Sequence, residues 1–295
     1  MIPSLAPPAV IAMIGLGRMG APMAAQLLGA GFCVRGADPS GAARDALAAM
    51  GGAAFSTGAE AAVGAAALIC MLPDGAVVRA ALLGPDGALD AAAPGTPVID
   101  MSSSAPMGTV ALGADLAARG HALIDAPVSG GVRRAVDGSL TIMVGGDPTR
   151  IAQARALFEA MGGAIFETGA LGSGHAMKAL NNYVSGAGAA AAIEAVQIGA
   201  AFGLDPARMV EVLNVSTGRN NATEAKLAQF VLPRTYGSGF SIGLMAKDIR
   251  LAADLARNLG AGHGFVETVA RTWEGERDAL GPDADHTGLF RPDRG

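Results

Sequence analysis

Along the first half of the chain, short apolar runs alternate with stretches of helical spacing, and glycine or proline marks the breaks between them. Residues 9–14, 32–37, 67–72, 97–100, 121–125, 140–144 and 164–167 read as buried strands. Helical stretches follow the first two strands, one running through Gln26-Leu27-Leu28 and one over 41–50. Strands alternating with helices predict βαβ units and a mostly parallel sheet. Beyond about residue 174 the pattern changes. No turn-bounded strand follows, and helical periodicity runs over 175–202, 206–215, 223–232, 244–259 and 265–280. The expectation is an α/β chain with a doubly wound parallel sheet over residues 1–172. An all-α domain over 173–295 follows, the two joined by a long helix. That helix has small residues on every face and is expected to be buried all round against other helices.

Composition narrows the function. A chain of 295 residues with 51% hydrophobic and 16% charged positions is globular. A net charge of −5 without a basic stripe argues against nucleic acid as a partner. No run of about 18 uninterrupted apolar residues marks a membrane span; the most apolar long stretch, 183–203, carries Glu194 and Gln197. Residues 1–10 lack the charged start of a signal peptide, so a cytoplasmic location is expected. Cys33 and Cys70 lie in apolar stretches without metal-ligand spacing, which predicts buried thiols, a reducing compartment and no metal. Only three of the 21 basic residues are lysines: Lys178, Lys226 and Lys247. That scarcity makes each worth placing in a motif. Lys226, on a predicted helix, reads as part of a solvated face.

Four motifs carry candidate chemistry. Gly15-Leu16-Gly17-Arg18-Met19-Gly20 follows a strand and opens a helix, and Asp38 ends the next strand. This is the Rossmann dinucleotide fingerprint: Gly15 for the tight turn, Gly17 for close approach of a pyrophosphate, Gly20 for helix–sheet packing. Asp38 suits ribose hydroxyls and repels a 2′-phosphate. Pro39 and Ser40 offer that phosphate no cation, and Arg44 is expected in the following helix, so NAD is favoured over NADP. Asp125-Ala126-Pro127-Val128-Ser129-Gly130-Gly131-Val132 sits at a strand end, where it is either a carboxylate-holding loop or a plain turn. In Gly172-Ser173-Gly174-His175-Ala176-Met177-Lys178-Ala179-Leu180-Asn181-Asn182, Lys178 and Asn182 share one face of an otherwise small, apolar helix, which favours a functional pair. Phe240-Ser241-Ile242-Gly243-Leu244-Met245-Ala246-Lys247-Asp248 places the third lysine beside an aspartate, equally readable as surface or site.

In this order and spacing, GLGRMGAPM, DAPVSGGV, GSGHAMKALNN and GLMAKD resemble the β-hydroxyacid dehydrogenase family, over about residues 9–290. The resemblance implies NAD(P)-dependent interconversion of a small 3-hydroxy acid and its semialdehyde, in a homodimer or homotetramer. It makes Lys178 the catalytic lysine and Asn182 the substrate-orienting amide. Ser129, Gly130 and Gly131 become the substrate-carboxylate loop, with Lys247 beside the cofactor. Met71, Leu72 and Pro73 match a loop bordering the cofactor, and Ser103 in Asp100-Met101-Ser102-Ser103 matches a residue at the nicotinamide end. Val77 stands where some members carry an asparagine. Arg133 and Arg134 offer either a second anion contact or a solvated surface. The segment Ser216-Thr217-Gly218-Arg219-Asn220 resembles a loop that helps set substrate choice.

On this reading Lys178 takes the hydroxyl proton in oxidation and returns it in reduction, with burial and a nearby cation lowering its pKa toward the working range. Reductases of succinic semialdehyde, glyoxylate or sulfolactaldehyde remain open, and so do imine reductases, which usually lack the lysine. A non-catalytic dinucleotide-binding regulator would keep Gly15, Gly17 and Asp38 but have no use for Lys178 with Asn182. The tail Asp285-His286-Thr287-Gly288 reads more readily as surface than as part of a pocket.

Overall fold

The computed structural model of the chain describes residues 5–291. The expectation about a leader in residues 1–10 and the outer limits of both predicted domains fall partly outside the described residues. The chain divides into two compact units, the first ending at Lys178 and the second beginning at Ala179.

The first unit is built on β1 (Val10–Ile14), β2 (Cys33–Ala37), β3 (Ala53–Phe55), β4 (Ala67–Cys70), β5 (Val98–Asp100), β6 (Leu123–Asp125), β7 (Val128–Ser129), β8 (Leu140–Gly145) and β9 (Gly162–Gly169). The strand order is β3-β2-β1-β4-β5-β6-β8-β7, with β9 beside β8. Pairing is parallel from β3 to β6, while β8 runs antiparallel to β6 and β7. Helices α1 (Gly20–Gly29), α2 (Gly41–Ala49), α3 (Gly58–Ala62), α4 (Gly75–Leu83), α5 (Pro106–Ala117), α6 (Gly131–Val136) and α7 (Pro148–Met161) connect the strands.

The alternation of side chains along a strand produces two cores. Ile11, Met13, Ile69 and Ile99 belong to one buried cluster, and Ala12, Ile14, Leu68, Cys70 and Val98 to another. Strands apolar on both faces are what a sheet covered by helices on each side requires. Helix starts follow local chemistry: Ser40, Asp74 and Asp147 accept backbone N–H groups at the starts of α2, α4 and α7, and Thr57 with Glu60 forms a capping box on α3. The sequence reading missed β3 and β7, which are three and two residues long. Runs that short carry no readable period. It also expected both thiols to be buried. Cys70 is buried, but Cys33, first residue of an exposed strand end, is exposed.

Helix α8 (Ser173–Phe202) crosses from one unit into the other. The second unit continues with α9 (Pro206–Val215), α10 (Asn221–Ala225), α11 (Ile242–Asn258) and α12 (Phe265–Leu280). Its core includes Ala189, Ile193, Val196, Leu227, Met245, Ile249 and fully buried Trp273.

The structure corrects four further expectations. Within this chain α8 is not buried all round: Val184, Ile198 and Phe202 are exposed, Phe202 at 84%. Alanine and glycine on every side had hidden an amphipathic stripe. The single helix expected over 223–232 is broken, because α10 ends at Ala225, Lys226 leaves helical geometry, and one π-helical turn follows over Leu227–Val231.

Lys226 itself is not on a solvated face. Its Nζ lies 2.9 Å from Nε2 of His286, and His286 and Thr287 are buried, so the Asp285–Gly288 segment is not a surface tail. Ser238 donates to the Asp285 carboxylate, and the His286 ring packs against Phe240 and Trp273. Burial, with the Lys226 charge adding to it, pushes the His286 imidazole down to about 4 from the ordinary 6.5.

The folded chain therefore takes up this proton less readily than the unfolded one. The contribution of His286 to stability is full above pH 6.5 and is lost as the pH falls from 6.5 toward 4, by about 3 kcal/mol at most. Urea unfolding midpoints at pH 7.5 and 4.5 are expected to differ more in the wild type than in His286→Gln. An equal difference in both proteins would contradict this.

Candidate active site

In the first unit, strand order reverses between β1 and β4, and the segments after β1, β2, β4, β5 and β6 all leave the sheet at the carboxyl ends of its parallel strands. Open α/β sheets place ligands at such a point. Gly15 has φ +96°, and a side chain there would run into the Met71 carbonyl; a side chain at Gly20 would run into the Gly15 carbonyl. Gly17 differs, with no protein atom other than its own and its chain neighbours' within 4 Å of the place a Cβ would take. Two glycines are thus required by the protein's own packing, and the middle one leaves room for a ligand just before α1. That arrangement, with backbone N–H groups at the start of a helix, fits a pyrophosphate.

At the end of β2, Asp38 accepts the Leu16 N–H through Oδ2 and the Ser40 N–H through Oδ1, both at 2.8 Å. A carboxylate has further lone pairs, so ribose hydroxyls can still be accepted. Arg44 lies in α2 as expected, yet its Nη1 turns back to the carbonyls of Asp38 and Pro39 at 2.7 and 2.9 Å. A cation therefore does reach this turn. Leu16 is buried, Met19 half-buried and Arg18 exposed.

The loops after β4 and β5 are tied together. Ser102 Oγ accepts the Leu72 N–H at 2.9 Å, beside Met71 and Pro73. Buried Asp100 accepts the Ser102 N–H through Oδ1 and the Ser104 hydroxyl through Oδ2. Ser103 stands half-buried between these two fixed residues. Burial pushes the Cys70 thiol, one residue before Met71, well above its ordinary value, and the Asp100 charge adds to the effect. Cys70 is therefore no nucleophile.

After β6, Asp125 turns inward rather than toward a ligand. Its Oδ1 accepts the Gly172 N–H at 2.7 Å and its Oδ2 the His175 N–H at 2.8 Å, so it caps the start of α8 from another strand. Farther along the same motif, Ser129 is half-buried. Gly130 and Gly131 are exposed with φ +124° and +66°, conformations that favour glycine and leave the backbone accessible. The Arg133 side chain is 93% exposed, with Nε 4.0 Å from Asp137.

Lys178 follows on α8 and is buried at 9% exposure. One turn later Asn182, in the second unit, is buried as well. Its Nδ2 donates to Asp248 Oδ2 at 2.6 Å, and its Oδ1 accepts from Asn181. Lys247 Nζ lies 3.2 Å from Asp248 Oδ1. Asn220, in the segment expected to tune substrate choice, caps α10 by accepting the Ala222 and Thr223 N–H groups. It also lines a small pocket of the second unit with Asn181, Val184, Ser185, Gly188 and Asn221. Sequence reasoning missed Ser102, Asp125, His175 and Asp248 as organising residues. All four lie within the recognised motifs, but nothing in their spacing announced their hydrogen-bond partners. Among the described residues no cluster of three or more metal-ligating side chains occurs.

Comparison with known proteins gives two family matches that together span almost the whole chain. Residues 10–169 match the NAD binding domain of 6-phosphogluconate dehydrogenase, and residues 172–292 match the NAD-binding region of NADP-dependent 3-hydroxyisobutyrate dehydrogenase. The chain belongs to the β-hydroxyacid dehydrogenase family. It is an NAD(P)-dependent oxidoreductase of hydroxy acids, as its similarity to named relatives supports. An NAD-dependent L-serine dehydrogenase of Pseudomonas aeruginosa is 41% identical over 253 residues, 84% of this chain and 85% of that protein. The structure of Mycobacterium tuberculosis 3-hydroxyisobutyrate dehydrogenase with L-serine superposes with a TM-score of 0.89 at 36% identity, covering 95% of this chain and 97% of that one. Psf3, in complex with NADP+ and 2-OPP, gives 0.83 at 29% identity, covering 95% and 98%.

Proposed function

We propose that this protein interconverts a small 3-hydroxy acid and its semialdehyde, with Lys178 as the general acid/base. The observation that carries this reading is a buried lysine one helical turn from a buried asparagine, on the helix whose start Asp125 holds. A regulator that only bound a dinucleotide would gain nothing from this pair and would bear the cost of burying it.

Bound NAD(P) supplies the hydride acceptor for oxidation and the donor for reduction. The side chains do the rest. Lys178 takes the proton from the substrate hydroxyl during oxidation and gives it back during reduction. Asn182, its amide oriented by Asp248, holds the substrate hydroxyl or carboxylate. Ser129, Gly130 and Gly131 hold the carboxylate, so that positioning supplies part of the rate. Gly15, Leu16, Gly17, Arg18, Met19, Gly20, Asp38, Met71, Leu72, Pro73, Ser103 and Lys247 form the cofactor side.

Asp38 favours NAD. The Arg44 guanidinium at the same turn leaves NADP as a weaker second cofactor. Asp38→Ala is expected to weaken NAD binding by about tenfold and to narrow the preference over NADP, as read by titrating each cofactor. An unchanged NAD affinity would remove Asp38 from the site.

A second reading of the substrate is L-serine, itself a 3-hydroxy acid, favoured by the 41% identity to an L-serine dehydrogenase. Absorbance at 340 nm with NAD and NADP, over a panel of 2-, 3- and 4-hydroxy acids including serine, tests both. The highest kcat/KM is expected on a 3-hydroxy acid, and a preference for 2-hydroxy acids would overturn the proposal.

The protein is further proposed to be soluble, cytoplasmic and homo-oligomeric. Helix α8 is long and apolar enough to cross a membrane, but one stripe of it forms the core of the second unit. Its exposed Val184, Ile198 and Phe202 suit a second copy of the chain.

A further inference from the structure

We propose that His175 is a positioning residue for the reaction. Its imidazole fixes the turn of α8 that carries Lys178 to the loop over residues 100–104. This rests on the assignment of Lys178 as the general acid/base.

The His175 ring is fully buried, and both of its nitrogens are engaged. Nε2 lies 3.1 Å from the Ser102 carbonyl oxygen. A carbonyl oxygen only accepts, so Nε2 carries a hydrogen and donates it. Nδ1 lies 2.8 Å from the Thr109 hydroxyl on α5. Carboxylate oxygens of Asp100 and Asp125 stand 3.7 Å from Nε2 and Nδ1 respectively. Neither carboxylate is free to drift. Asp100 is held by the Ser102 N–H and the Ser104 hydroxyl, and Asp125 by the Gly172 and His175 N–H groups.

The partner that matters is Ser102. Its hydroxyl holds Leu72, its N–H is held by Asp100, and its carbonyl is held by His175. One residue therefore joins the loop after β4, the loop after β5 and the start of α8. Ser103 is the next residue in the chain. Lys178 is three positions beyond His175, close to one helical turn, so a rotation of α8 at His175 moves the Lys178 amine with it. A leucine of similar volume would fill the same space without fixing this rotation. A misplacement of about 1 Å costs on the order of a hundredfold in rate where geometry is the source of catalysis.

The test uses the full chain with His175→Gln, His175→Asn and His175→Leu beside Lys178→Ala. Kinetic constants, NAD affinity and Tm are measured for each. Gln keeps a donor near the Nε2 position, toward Ser102. Asn keeps only a group near the Nδ1 position, toward Thr109. His175→Gln is expected to retain kcat within about threefold. His175→Asn and His175→Leu are expected to lose about tenfold or more in kcat, with KM and NAD affinity within about twofold. If His175→Asn or His175→Leu turns over like the wild type, the proposal is overturned. The same holds if the losses in all three variants simply follow Tm, with kcat and KM changing together. Normal turnover by Lys178→Ala would instead sink the Lys178 assignment on which the proposal rests, whatever the His175 variants do.

Discussion

Replacing Lys178 with alanine is expected to lower kcat by about a thousandfold while NAD binding stays within about twofold of the wild type. Lys178 is 9% exposed on a helix whose neighbouring residues are mostly small and apolar, and taking an amine out of water is costly. The cofactor side of the first unit is built from other residues: the Gly15–Gly20 turn, Asp38 and the loops held by Ser102. Loss of the amine therefore removes proton transfer and leaves the dinucleotide site intact. A parallel loss of NAD affinity would mean that Lys178 serves binding instead. Dialysis or fluorescence titration of NAD against the variant separates the two.

The largest effect on stability is expected at Asp125. Its carboxylate is fully buried and accepts two backbone N–H groups at the start of α8, from Gly172 and His175. Asp125→Ala leaves both donors buried without an acceptor, at about 1–3 kcal/mol each. A loss of about 3–5 kcal/mol is expected, read as a lower urea midpoint for the transition of the first unit. Asp125→Asn keeps one acceptor and turns a donor toward the other N–H, so it is expected to fall between the wild type and the alanine variant. A stability loss under about 1 kcal/mol for Asp125→Ala would show that water replaces the carboxylate and that the cap is not structural.

Much of this architecture is legible in the chain. The apolar runs at 9–14, 67–72 and 97–100 became central parallel strands because a strand covered on both faces must be apolar throughout. The turn from Gly15 to Gly20 was readable because glycine has few reasons to recur at that spacing. Other features were not legible, for physical reasons. β3 and β7 are too short to show a period. The exposed stripe of α8 was masked because alanine and glycine suit both a buried and a solvated face. Lys226 looked solvated because its partner, His286, lies 60 positions away, and no local pattern reports a contact at that separation. Asp125 and His175 were visible as motif letters, but their roles come from hydrogen bonds across 47 to 73 positions.

The most direct test of the account follows a single turnover. Wild type and Lys178→Ala are each mixed with NAD and a 3-hydroxy acid shown to be a substrate, and reduction of the cofactor is followed at 340 nm with and without added ethylamine. The expected result is a fast rise for the wild type, a flat trace for the variant, and a slow rise restored to the variant by the amine. A variant trace that matches the wild type without any amine would contradict Lys178 as the proton carrier.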